Sequence, residues 1–188
     1  MEKLHLQYGR MAAVAMEYCT FVDNFNEAGR HSGYQNNWLV ILEKLFPRLH
    51  VAVIALAVVN NGVRSYHLCD DDQRCEMFLR LNAVLKTDDT LWDKYVGGGE
   101  RQQSPQELCE RMADNIADMY FDLKRGLELV DRDPALASSY WQSSFYAHWG
   151  KHLLDAECWL HCIDAGGEPP LLPEWQWPNT PGRVAGVI

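Results

Sequence analysis

The chain reads as an all-α protein: a bundle of about five or six helices, mostly antiparallel, followed by an extended C-terminal tail containing proline and tryptophan. Three observations carry that reading. Apolar residues recur at three- and four-residue steps, and no stretch alternates apolar and polar residues over a useful strand length. Helix-start signals stand at Asp70-Asp71-Asp72, Ser104-Pro105 and Asp133-Pro134. The 188 residues, 47% hydrophobic and 23% charged, suit one globular core. Residues 1–165 form the expected bundle domain, and residues 166–188 the tail.

The elements follow in order. Met11, Val14, Ala15, Tyr18, Phe21, Val22 and Phe25 mark a first helix over about 2–26, closed by a connector at 27–33. Trp38, Leu39, Leu42, Leu45 and Phe46 form the next apolar face, over 35–46. Pro47 lacks an N–H donor, so a break is expected there and a separate segment over 48–60, stopped by Asn60-Asn61-Gly62. Asp70-Asp71-Asp72 caps a helix over 71–86 carrying Cys75, Phe78, Leu79, Asn82 and Leu85. Residues 87–103, with Gly97-Gly98-Gly99, read as a loop. Ser104, Pro105 and Glu107 open a helix over 105–131. Asp133-Pro134 opens the last, over 134–164. The tail holds Pro169, Pro170, Pro173, Pro178 and Pro181 together with Leu171, Leu172, Trp175 and Trp177, a composition suited to an extended strap or a partner-binding segment.

Charge narrows the partners. Seventeen Lys and Arg against 26 Asp and Glu leave a net charge of −9, which argues against nucleic-acid and anionic-membrane surfaces. The longest apolar run, Val51 to Val59, is short of the roughly 20 residues that span a bilayer. The N-terminus lacks the features of a signal peptide. Six cysteines at irregular spacing, with no Cys-x-x-Cys pair, fit reduced thiols in a cytoplasmic setting. Cys158 and Cys162 could share a helix face, but two thiols do not complete a zinc site.

The later helices resemble a known family. Asn115-Ile116-Ala117-Asp118-Met119-Tyr120-Phe121-Asp122-Leu123-Lys124, then Tyr146-Ala147-His148-Trp149-Gly150-Lys151-His152-Leu153-Leu154-Asp155-Ala156 and Leu160-His161, is similar to the bacterial domain-of-unknown-function family 5063. Tyr18-Cys19-x-Phe21 and Leu45-Phe46-Pro47-x-Leu49 fit the same pattern. The resemblance covers about residues 8–163 and implies the helical fold without implying an activity.

One polar face invites chemistry. At about 100° per residue, His152 falls within the apolar face of the last helix, with His148 and Asp155 on its edge and His161 opposite. On the preceding long helix, Leu108, Met112, Ile116, Met119 and Leu123 form the inward stripe. Asp122 drifts to its flank, and Asp114 and Asp118 fall away from it. The candidate pocket is therefore His148, His152, Asp155 and Asp122, with Trp149 and Tyr18 as aromatic neighbours. Three readings stay open: a structural network of satisfied buried groups, a metal site, and a small-molecule pocket in which a His–Asp pair does acid–base work. The outward angle of Asp114 and Asp118 leaves too few ligands, so no stoichiometric metal and no cofactor are expected. Gly97-Gly98-Gly99 lacks the lysine and preceding strand of a phosphate loop, and Asp70-Asp71-Asp72 lacks the spaced donors of a calcium loop. No nucleophile or oxyanion donor can be named. The function expected is a binding or interaction module, with a His/Asp-pocket enzyme or small-molecule binder as the alternative. The partner would be a protein or a small molecule, and a homodimer is compatible with an acidic, aromatic-rich surface.

Overall fold

The computed structural model describes residues 2–31, 37–56, 70–86 and 105–165, and they are almost entirely helical. Helix α1 spans Glu2–His31, continuing past its apolar stripe into the expected connector. Helix α2 spans Asn37–Ile54 with Pro47 inside it, so the expected break does not occur. The reason is packing. Leu42, Leu45, Phe46 and Leu49 are buried on both sides of the proline, while Pro47 itself is exposed. Burying each of those side chains contributes about 1.5–3 kcal/mol, which together outweighs the roughly 3 kcal/mol cost of an interior proline.

Helix α3 spans Asp71–Leu85, and Asp70 caps it by accepting the Asp72 N–H at 3.0 Å. Its buried residues are Leu81, Asn82 and Leu85, while Cys75 and Leu79 face outward. Helix α4 spans Pro105–Val130. Helix α5 spans Pro134–Ser144, where the Asp133 carboxylate accepts the N–H groups of Ala135 and Leu136 at 3.0 Å each. A π-helical turn at Phe145–Trp149 then leads into helix α6, Gly150–Ala165, so residues 134–165 are helical throughout. Helix α4 is the hub, packing against α1, α3, α5 and α6, with α2 closing the core against α1 and α6.

The turn Asn60-Asn61-Gly62, residues 57–60 of the expected third segment, the loop 87–103, Ser104 and the tail 166–188 lie outside the described residues. Among the described residues, no helix is long and apolar enough to cross a membrane.

Two glycines are required by close approach. A Cβ on Gly126 would sit 1.8 Å from Nε1 of Trp141, whose indole lies flat on α4 and donates to the Leu123 carbonyl at 3.2 Å. A Cβ on Gly150 would sit 2.5 Å from the Phe145 carbonyl oxygen, which accepts the Gly150 N–H across the π-turn. The crowding at Gly150 thus comes from its own turn, not from a neighbouring helix. Gly9, by contrast, is exposed and meets nothing within 4 Å. Gly126→Ala is expected to cost about 1–3 kcal/mol by displacing Trp141. Gly9→Ala should instead stabilise by about 0.5–1 kcal/mol through helix propensity. Urea unfolding midpoints of the two variants should move in opposite directions; movement in the same direction would contradict the packing of Trp141 on α4.

Candidate functional site

Along the α4–α6 seam, side chains spaced about one turn apart meet as rungs of an antiparallel ladder. Arg111 grips both oxygens of Asp155, with Nε donating to Oδ2 at 2.7 Å. Asn115 donates from Nδ2 to Asp155 Oδ2 at 2.7 Å, and its Oδ1 lies 2.9 Å from Nδ1 of His152. Asp118 Oδ2 stands 3.3 Å from Nε2 of His152. Asp122 Oδ2 lies 2.6 Å from Nδ1 of His148, while its Oδ1 accepts the Tyr140 hydroxyl at 3.0 Å. From α3, Arg74 donates to Asp118 Oδ1 from Nε at 2.7 Å and to Oδ2 from a terminal nitrogen at 2.8 Å, and also contacts Asp114. Asn115, Asp118, Asp122 and His152 are buried, whereas the His148 side chain keeps 23% of its exposure.

The structure brings His148, His152 and Asp122 together, with the imidazole rings 5.1 Å apart and edge to face. Asp155 is one step removed, reaching His152 only through Asn115. Trp149 is wholly buried and its indole donates to Ser144 Oγ at 3.0 Å; Tyr18 is also wholly buried and donates its hydroxyl to the Ile116 carbonyl at 2.9 Å. Both aromatic side chains belong to the core behind the site. His161 is exposed. Asp118, read from the sequence as pointing away, is 4% exposed and central to the cluster. It was misplaced because α4 buries two faces, and α3 covers the one that a single apolar stripe leaves for solvent. A signal was present: Asn115, Asp118 and Asp122 repeat at three and four, as His148, His152 and Asp155 repeat at four and three.

A family model described as "Domain of unknown function (DUF5063)" matches residues 3–166. The chain belongs to that family. Neither a curated protein nor a solved structure gives a significant match to this DUF5063 chain.

The hydrogen bonds assign the His152 proton. Asp155 can only accept, so Asn115 turns its amide nitrogen toward it and its oxygen toward His152. Nδ1 of His152 must therefore carry the hydrogen. Burial pushes the imidazole down to about 4, against the pull of the Asp118 charge, so the ring is neutral at pH 7. Nε2 then presents a lone pair to an oxygen of Asp118. The 3.3 Å approach has ion-pair distance but not hydrogen-bond geometry, and Nε2 has no hydrogen-bond partner among the described residues. Burial alone would raise the Asp118 carboxyl, but the Arg74 hydrogen bonds and the neighbouring imidazoles outweigh it and hold the group below its usual value.

In this DUF5063 chain the His152 shift sets a pH window. The unfolded ring binds its proton near 6.5 and the folded one near 4, so stability is intact above the higher value and falls as pH drops through the interval. The loss is on the order of 3 kcal/mol. Urea midpoints measured across that interval, in buffer containing EDTA, should slope steeply for the natural chain and less for His152→Gln. Equal slopes would mean that His152 is not buried in its neutral form.

Proposed function

We propose that this DUF5063 chain is a small-ligand-binding protein whose working site is the cluster of Asp118, Asp122, His148 and His152 between α4 and α6. One observation carries the reading. Nε2 of His152 and Oδ2 of Asp118 face each other, lone pair to lone pair, inside a network whose other contacts are matched donor to acceptor. A buried polar atom left without a partner costs about 1–3 kcal/mol, and such atoms collect where a site is built for a bound group. A ligand bringing positive charge or an acidic hydrogen would give Nε2 its missing partner and relieve its approach to Oδ2, which already accepts from Arg74. The half-buried His148 is the side from which it would enter.

Among the described residues Cys19, Cys75 and Cys158 are thiols outside any disulfide, Cys75 exposed, which supports a reducing, cytoplasmic setting. A second reading, an interaction module working through its surface with a protein partner or a second copy, is favoured by Val40, Val51 and Ile54, which share the outer face of α2.

Native mass spectrometry of gently purified, untagged protein separates the two. The expected result is a species heavier than the bare chain, reduced to chain mass by His152→Ala and by the near-isosteric Asp118→Asn, with far-UV circular dichroism still helical. A bare chain mass in every case, with a co-purifying protein lost on Val51→Asp, would favour the surface reading.

A further inference from the structure

We infer that the cluster is a metal centre, in which Asp118, His148 and His152 bind one divalent first-row transition ion. This deepens the preceding reading and rests on it, since it names the ligand of the same site.

Four features point to a metal ion. The first is donor placement. One donor atom from each of the three residues lies within 4.8 Å of the other two. Bonds of about 2.0–2.1 Å to a common ion place neighbouring donors about 2.9–3.4 Å apart. His152 Nε2 and Asp118 Oδ2 already stand at 3.3 Å. His148, half-buried at the rim, supplies the third donor atom within that 4.8 Å limit.

The second is orientation from outside the ligand set. Histidines that bind metals commonly donate their other ring nitrogen to a carboxylate or an amide oxygen. Here Nδ1 of His148 meets Asp122 and Nδ1 of His152 meets the Asn115 oxygen, and it is Nε2 of His152 that turns toward Asp118. Arg74 orients the carboxylate of Asp118 in the same manner.

Charge is the third. Arg74 pairs with Asp114 and Asp118, Arg111 with Asp155, while Asp122 meets His148 and the Tyr140 hydroxyl. The buried Asp118 and Asp122 keep a negative field at the cluster, which a dication bound there would offset.

The fourth is chain geometry. His148 lies within the π-turn and His152 just beyond it, and such turns recur where helices carry functional groups.

Two imidazoles and one carboxylate select the class of ion. Calcium and magnesium take oxygen ligands almost exclusively, whereas imidazole suits iron, cobalt, nickel, copper and zinc. Three protein ligands also leave at least one position for water or a small molecule, unlike a closed structural zinc site.

The test uses the full, untagged chain stripped with a chelator and titrated with cobalt(II), followed by visible absorption and isothermal titration calorimetry. One equivalent is expected to bind, and zinc(II) to displace it. Asp118→Asn, His148→Ala and His152→Ala should each lose stoichiometric binding. Asp122→Asn should weaken it by about 10–100-fold, and His161→Ala should leave it unchanged. Circular dichroism identifies variants that fail to fold; Asp118→Asn and the half-buried His148→Ala keep the test decisive if His152→Ala does. No binding at millimolar cobalt, or binding that survives all three ligand substitutions, would overturn the metal centre. An organic adduct in native mass spectra without metal binding would overturn the metal centre alone and leave the ligand-binding reading intact. Absence of both would remove the two together.

Discussion

From Met112 to Leu123, helix α4 has no exposed residue. Four helices crowd it, and yet its sequence over that stretch includes Asn115, Asp118 and Asp122. A polar group in such a position has to be matched from a neighbouring helix or it costs about 1–3 kcal/mol. That requirement organises the second half of the chain. It sets the register of α6 and of the π-turn before it, whose Asp155, His152 and His148 meet α4 turn by turn, and it ties α3 to the hub through Arg74. Removing one member leaves a buried charge behind, a loss of about 3–5 kcal/mol in comparable settings.

Stability alone does not explain why the seam is polar. Apolar side chains of similar volume commonly serve a buried seam as well as an ion pair, or better. The outer rung, Arg111 with Asp155, is partly exposed and of the kind that contributes little. The inner rungs hold two carboxylates and an imidazole almost out of water, with one nitrogen facing an oxygen instead of a donor. Costly, nearly satisfied polar groups in one place, surrounded by an otherwise apolar core, are what the proposed binding role would require of the fold.

The aromatic side chains behind the seam hold it at a set distance. Trp141 lies flat on Gly126 of α4, and Trp149 packs against Phe145 with ring centroids 4.8 Å apart while its indole is bonded to Ser144. Tyr18 locks α1 to the Ile116 carbonyl, one residue from Asn115. The π-turn carries Trp149 and His148 themselves, and Gly150 permits it because any Cβ there would strike the Phe145 carbonyl. Core packing and site geometry are therefore one structure. A change in the aromatic layer moves the histidines.

Much of this was legible in the chain before folding was considered. Caps at Asp70 and Asp133 act on the nearest few N–H groups, so their sequence signature and their structure agree. Apolar spacing likewise marked α1, α4 and the continuous helix over 134–165, and it placed His148, His152 and Asp122 near one another. Tertiary structure decided the rest. Pro47 stays inside α2 because core burial outweighs a local defect, and α3 buries Leu81 while exposing Leu79 because it docks at an angle its own pattern does not encode. Asp118 turns from a surface residue into the centre of the site for the same physical reason. Periodicity along one helix reports the single face that is apolar, whereas a helix buried on several sides has faces whose polarity is matched only by residues distant in sequence. Arg74 and His152, which make Asp118 tolerable in the core, lie 44 and 34 positions away from it, and only the folded chain brings them together.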